Sequence, residues 1–331
     1  MSNERQWLRY CRLTIIRNEG EFRKEIDLSG FRVRFRVTQA LASRPCSAEI
    51  TIFNVSSAVA NAIADPTTNF VRSSHQEVIL EAGYKEKHTI IFRGDLWWKS
   101  VGRESETDTF LRLIAATGDR AHQNATTSAS IPKGSSQKDV AEKVVSTMDP
   151  YGVKFVETPE LMQARLLRGK TIFKMSRDAL QDVADSNGFD WAYTNAGIAT
   201  VPKEGALKNA EKVIVLDASS GLLDRPEITV DGLKMRALLN PDLEWGRLVQ
   251  VKSDTVQRMS YSTETSSSAV ESNRTANGET LDYDGIYIIK SREFVGDTRG
   301  DEWYADLLCI AYNPAARPVS PTPYSTIPNL K

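Results

Sequence analysis

The 331-residue chain has little of what usually carries chemistry. It has three histidines, His75, His88 and His122, and none has a second His or a Cys at metal-ligand spacing. Its three cysteines, Cys11, Cys46 and Cys309, lie far apart with no CxxC pair. They read as reduced and mostly buried thiols, which fits assembly in a cytoplasm. No run approaches the about 18 apolar residues of a membrane helix. Met1–Tyr10 carries charges and no apolar core, so neither a membrane anchor nor a secretory signal is expected. Net charge is −1, which excludes a chain-wide attraction to nucleic acid or membrane and leaves local patches open.

Catalytic signatures are also missing. There is no G-x-S-x-G elbow. Gly169-Lys170-Thr171 has the end of a phosphate loop, but Ala164 stands where the upstream glycine is required. Asp178 and Asp182, four apart on an expected helix, read as a solvated face, and Glu157 and Glu160 make no better acid pair. The chain therefore reads as a non-enzyme, with no cofactor and no metal.

What is present is alternation. Phe31-Arg32-Val33-Arg34-Phe35-Arg36-Val37 switches between apolar and arginine without a break. A period of two puts Phe31, Val33, Phe35 and Val37 on a core face and three guanidiniums on the other. Strands are also expected at 8–17, 48–55, 77–84, 90–99 and 109–116, with a short helix at 57–64 before Asp65-Pro66. Turns are marked by Gly20, Gly83 and Gly102. The spacing suggests an antiparallel barrel rather than a βαβ fold.

The middle of the chain changes character. Residues 122–130 are polar and read as a loop. A helix follows from Ser135 or Ser136, with Val140, Val144, Val145 and Met148 on one face, ended by Asp149-Pro150. A second starts at Ser176 with Leu180, Val183 and Ala184 inward, and Gly188 sits at its left-handed end. The shared helix starts at 135–141 and 176–180 fit either a weak repeat or two N-caps, and two N-caps is the preferred reading. A hairpin over 189–201 turns at Asn195-Ala196-Gly197. Strands return at 212–217, 227–229, 233–239, 247–251, 285–294 and 302–312. The segment 260–277 is too polar to order itself. The five prolines from Pro314 to Pro328 make the end of the chain an extended tail. The fold class is mainly β with a small α/β insert: a first β-domain at 1–120, the insert at 121–205, a second β-domain at 206–312 and the tail at 313–331.

Several phrases carry a family resemblance. Ala48-Glu49-Ile50-Thr51-Ile52-Phe53-Asn54-Val55-Ser56 is similar to a strand ending "I-x-N-L-S", with valine for leucine. Val78-Ile79-Leu80-Glu81-Ala82-Gly83-Tyr84 matches a strand ending "AGY", and Ile91-Phe92-Arg93-Gly94-Asp95-Leu96 one reading "IFxGxI". Residues 111–119 resemble "L-x-A-x-D-G", with Gly118-Asp119 in reversed order, and 169–191 resemble the family's insert. In this order they resemble the baseplate hub proteins of contractile phage tails, of the Mu-like type, over roughly residues 8–312. No needle-like repeat is visible, so a membrane-piercing spike would be a separate protein.

The resemblance implies two tail-tube-like antiparallel β-barrels per chain and a homotrimer in the distal tail of the virion, assembled in the host cytoplasm. Three chains would present six barrels to the six-fold tube and a three-fold face to the central spike. Other baseplate proteins and a tape-measure protein are further expected partners, and nucleic acid would meet it only by passing through the lumen. Two alternatives stand beside this: the tail-tip hub of a non-contractile tail or other contractile injection system, and a carbohydrate-binding or carbohydrate-degrading β-protein.

Five residues are the interface candidates. Arg32, Arg34 and Arg36 form a stripe that fits cross-strand ion pairs, a subunit contact or the lumen wall. Trp97 and Trp98 put one indole on each face of their strand, which fits one in the core and one as an exposed anchor, or both in local packing.

Overall fold

The computed structural model describes residues 8–19, 22–39, 43–63, 76–156, 165–203, 213–229, 231–251 and 285–312. The expectations for His75, Gly20, Glu157 and Glu160, the 260–277 segment and the 313–331 tail lie outside them.

The protein is mostly β and its sheets are almost wholly antiparallel. Seven strands come from the first part of the chain: β1 (Arg9–Glu19), β2 (Phe22–Asp27), β3 (Arg32–Gln39), β4 (Ser47–Phe53), β5 (Gln76–Tyr84), β6 (Lys87–Arg103) and β7 (Thr109–Ala116). Helix α1 (Ser57–Ile63) follows β4. Six come from the last part: β12 (Ile214–Leu216), β13 (Glu227–Thr229), β14 (Gly232–Leu238), β15 (Leu248–Val251), β16 (Ile286–Asp297) and β17 (Trp303–Ala311). All belong to one 13-stranded sheet running β13-β14-β17-β16-β3-β4-β7-β6-β5-β1-β2. Strand β15 branches from β16, and β12 pairs with β15 in parallel.

The joint between the two parts is β3 against β16, paired from Arg292↔Gln39 to Asp297↔Arg34. One core spans it. Val33, Phe35 and Val37 of β3 share it with Ile50 and Ile52 of β4, Leu111 and Leu113 of β7, and Phe294, Trp303, Ala305 and Leu307 of the last hairpin. Each large side chain buried there contributes about 1.5–3 kcal/mol. The expected alternation of β3 holds: Val33, Phe35 and Val37 are buried, and the arginines between them are not.

The insert has its own core. Strand β8 (Thr126–Ile131) pairs with β9 (Lys170–Met175), and helices α3 (Gln137–Ser146) and α4 (Ser176–Asn187) pack on each other. The hairpin β10 (Phe189–Thr194) and β11 (Gly197–Pro202) completes it. Val140, Val144, Val145, Met148, Leu180 and Val183 meet Trp191, Tyr193 and Ile198 in the interior. Ser136 caps α3 in a full capping box with Asp139. Gly188 ends α4 at φ 69°, a left-handed position that glycine adopts without steric cost.

Two expectations fail here. Residues 122–130 are not a loop: they hold the end of helix α2 (Asp119–Asn124) and most of β8. A two-stranded sheet backed by helices needs few inward groups, and Thr127 and Ile131 suffice, so the apolar signal is thin. Ser176 is no cap. It is fully buried at the first turn of α4, where its hydroxyl lies 2.9 Å from Thr127 Oγ1 and 2.6 Å from Thr147 Oγ1.

Candidate interface surfaces

The outer face of the joined sheet carries the arginine stripe, and every member has a carboxylate partner within the chain. Arg32 grips Asp297 with two nitrogens, Nε to Oδ1 at 3.1 Å and a terminal nitrogen to Oδ2 at 2.7 Å, and lies 4.7 Å over the Phe53 ring. Arg34 sits 3.5 Å from Glu104, and Arg36 lies 2.9 Å from Glu293. The pairing continues outward, with Arg112 3.3 Å from Glu49 and Arg236 forked onto Asp306 at 2.6 and 3.0 Å. Read across β14-β17-β16-β3-β4-β7, the charges run Arg236, Asp306, Glu293, Arg36, Glu49, Arg112. This belt is neutral in sum. Pairs this exposed contribute about 0–1 kcal/mol each, so they set charge pattern more than stability.

Asp297 is the buried end of the belt. Burial pushes its carboxyl up, but the Arg32 guanidinium and the backbone N–H groups of Arg299 and Gly300 outweigh that and leave it below the usual carboxylate range. Shallow grooves lie along the same face. One of about 470 Å³ is lined by Asp224, Glu227, Lys234, Arg236, Glu293 and Asp306. Another of about 230 Å³ lies over Arg34, Arg36, Glu49 and Thr51. Both carry charges of both signs.

The two tryptophans are placed differently from the alternation. A β-bulge between Leu96 and Trp98 makes Trp97 an extra residue against β7. Trp97 is 46% exposed, while Trp98 is half-buried opposite Ile114, in the row that contains Arg36 and Glu49. Neither indole joins the buried core, because the bulge breaks the strict in-out period at that point.

A second bulge builds a site that the sequence reading missed. Between Ile289 and Ser291 the register of β16 slips by one, so Tyr287, Ile289 and Phe294 all reach the core although their numbers differ in parity. The slip turns Lys290 inward, 5% exposed, where Nζ donates to Asp190 Oδ2 at 2.9 Å and to the Lys203 carbonyl at 3.0 Å. Arg292 is equally buried. Its guanidinium donates to Gln39 Oε1 at 3.0 Å and to the Leu243 carbonyl at 3.2 Å, and burial pushes its pKa down. Gln39 in turn donates to the Tyr193 carbonyl. Asn195, in the hairpin turn, accepts from the Arg93 backbone at 2.9 Å and donates to the Ile90 carbonyl at 3.0 Å. These bonds seat the β10–β11 hairpin on the sheet where the chain's two β segments meet. The visible signal was the change of face along 287–294.

The residues weighed for catalysis do not gather. Asp182 pairs with Lys174 and Asp178 lies 3.5 Å from Arg177, both exposed on α4. Lys170 and Thr171 are the first two residues of β9, not part of a strand-to-helix turn. His88 stacks on Tyr10, and His122 meets the Tyr193 ring edge-on. Among the described residues no three His, Cys, Asp or Glu side chains group as metal ligands, and no helix is long and apolar enough to cross a membrane.

A mostly β sheet of this order with an α/β insert is the fold of phage tail proteins. It is similar to the 43 kDa tail protein of prophage MuSo2 from Shewanella oneidensis, at TM-score 0.54 and 9% identity over 90% of this chain and 96% of that one. It is also similar to a tail protein of Neisseria meningitidis MC58, at TM-score 0.52 and 13% identity over 90% and 96%. The Escherichia coli c3393 protein, a type VI secretion component described as similar to the T4 tail proteins gp27 and gp5, shares the fold at TM-score 0.50 and 11% identity over 86% and 74%. No curated protein matches the chain by sequence. The family described as "Baseplate hub gp41" matches residues 12–260, so the chain belongs to the baseplate hub gp41 family. It is a structural component of a phage tail baseplate.

Proposed function

We propose that the protein is a homotrimeric hub at the distal end of the tail, joining a six-fold tail tube to a three-fold central spike. The observation that carries this reading is the edge-to-edge union of two β segments through β3 and β16. One chain thus offers two neighbouring arrays of strands, and three chains offer six, which lets one ring meet both symmetries. Its role is assembly, not catalysis. Arg32, Arg34, Arg36, Trp97 and Trp98 are its candidate contacts with neighbouring subunits and the lumen. The neutral belt suits a wall past which cargo moves, because its charges are already paired. Tube, spike and surrounding baseplate proteins are the partners, with the tape-measure protein passing through the ring.

The test is co-expression of the chain with the tube and spike proteins of its own phage, followed by light scattering on the purified complex. Three copies of the hub per complex is the expected result. A single copy bound to both partners would overturn the reading.

A further inference from the structure

The insert carries a surface unlike the rest of the molecule. Residues 126–133 and 165–177 contain six basic residues and no Asp or Glu, in a chain whose net charge is −1. They form β8, β9 and the approaches to them. The inner face of this two-stranded sheet, Thr127, Ile131 and Ile172, is buried toward the helices. The outer face presents Thr126, Ser128, Ser130, Thr171 and Phe173. Phe173 is 86% exposed, directly across from Ser128, and Leu167 just before β9 is 90% exposed.

Half of the basic groups have an acidic neighbour within the chain. Lys174 and Arg177 face Asp182 and Asp178 on α4, and Arg165 acts on Asp139 of the capping box. Lys133, Arg168 and Lys170 have no ion pair among the described residues; Lys133 and Arg168 are exposed beside the strand ends, whereas Lys170, paired with Ile131, belongs to the inner face. This contrasts with the arginine belt of the large sheet, where each member is neutralised within the chain. A large aromatic at that exposure adds nothing to the insert's own core, which is complete beneath it. Exposed apolar groups flanked by charge of one sign are the features of a protein-docking site: the apolar residues anchor, and the charges select the partner.

We infer that the outer face of β8–β9 docks an acidic protein surface of another baseplate component, with Phe173 and Leu167 entering an apolar pocket in it. Charge complementarity fixes the sign of the partner. An aliphatic anchor beside a single aromatic fits a pocket better than a row of stacked bases, which would need several aromatic platforms. The inference needs the chain to sit in an assembled tail. It does not need the hub to be a trimer, so the two can fail separately.

The test places the photo-crosslinker p-benzoylphenylalanine at position 173 of the full chain and irradiates assembled tails. The expected result is an adduct to one protein whose linked segment is rich in Asp and Glu. K133E/R168E should lower the adduct yield about tenfold or more, because like charges then face each other. The same substitutions should leave the melting point of the free chain within about 2 °C, as surface changes do. If that variant does not fold, K133Q/R168Q and a salt series on the parent tails read the same dependence. An adduct to nucleic acid, an adduct to a segment without acidic residues, a yield indifferent to both charge and salt, or tails that contain the chain but give no adduct would each overturn the inference.

Discussion

Lys290→Met is the most informative single change. It keeps the aliphatic stem and removes the ammonium that ties β16 to the hairpin β10–β11. The parent side chain is 7% exposed and its partner Asp190 26% exposed. Breaking a fully buried pair costs about 3–5 kcal/mol, since the remaining charge stays unpaired. Water reaches Asp190, and the Lys203 carbonyl loses one donor, so about 2–3 kcal/mol is the reasoned cost. That is about 30- to 150-fold in the equilibrium for lifting the hairpin. Amide hydrogen exchange reads it directly. Protection over 189–202 should fall by that factor in Lys290→Met, while the β1–β2 pair, at the end of the sheet order, keeps its protection. Asp190→Asn should cost less, and the double variant should restore part of the loss, with a coupling of about 1.5 kcal/mol or more. A coupling under about 0.5 kcal/mol, or equal loss of protection in β1–β2, would refute the view that this pair seats the insert on the sheet.

Three further outcomes follow from the packing. Asp297 is held below its unfolded value of about 3.9, so its contribution to stability is whole above that pH and fades as pH falls through the lower folded value; the parent chain should lose more stability than Asp297→Asn between pH ~4 and ~2, and parallel urea midpoints for the two would contradict this. Gly118→Ala should destabilise the junction by about 1–3 kcal/mol, because φ is 66° there and an added Cβ would lie 2.6 Å from Tyr193 Cδ1; an unchanged melting point would show that Tyr193 moves aside freely. Burial pushes the Cys46 thiol up to about 11 and the Cys309 thiol higher still, so a thiol reagent at neutral pH should reach neither until the chain is unfolded, and prompt labelling of either would contradict the packed core.

The strands with a clean period were legible from the sequence. Val33, Phe35 and Val37 announce β3 because one face is core and the other water. The helices α3 and α4 were legible through their apolar stripes, the Ser136 cap and Gly188. What escaped had physical reasons. Strand β2 is dense in charge, with Arg23, Lys24, Glu25 and Asp27, and ends the sheet order beside β1 alone. The bulges at Trp97 and Lys290 reverse the faces, so alternation counted through them assigns the wrong side. The union of β3 with β16 joins residues more than 250 positions apart, and no local pattern encodes it. The stripe Arg32, Arg34, Arg36 was visible as a stripe, but its partners Asp297, Glu104 and Glu293 are brought to it by that union and by the neighbouring turns. Phe173 was hidden because an apolar residue in a short strand reads as core until the sheet shows which face is covered.

The central claim is that two β segments joined in one sheet make one third of a ring. Cryo-electron microscopy of the chain bound to its tube and spike proteins tests it most directly. Three copies around an open axis are expected, with six strand arrays facing the tube and the spike on the same axis. A ring of six chains, or a single chain seated off the axis, would contradict it.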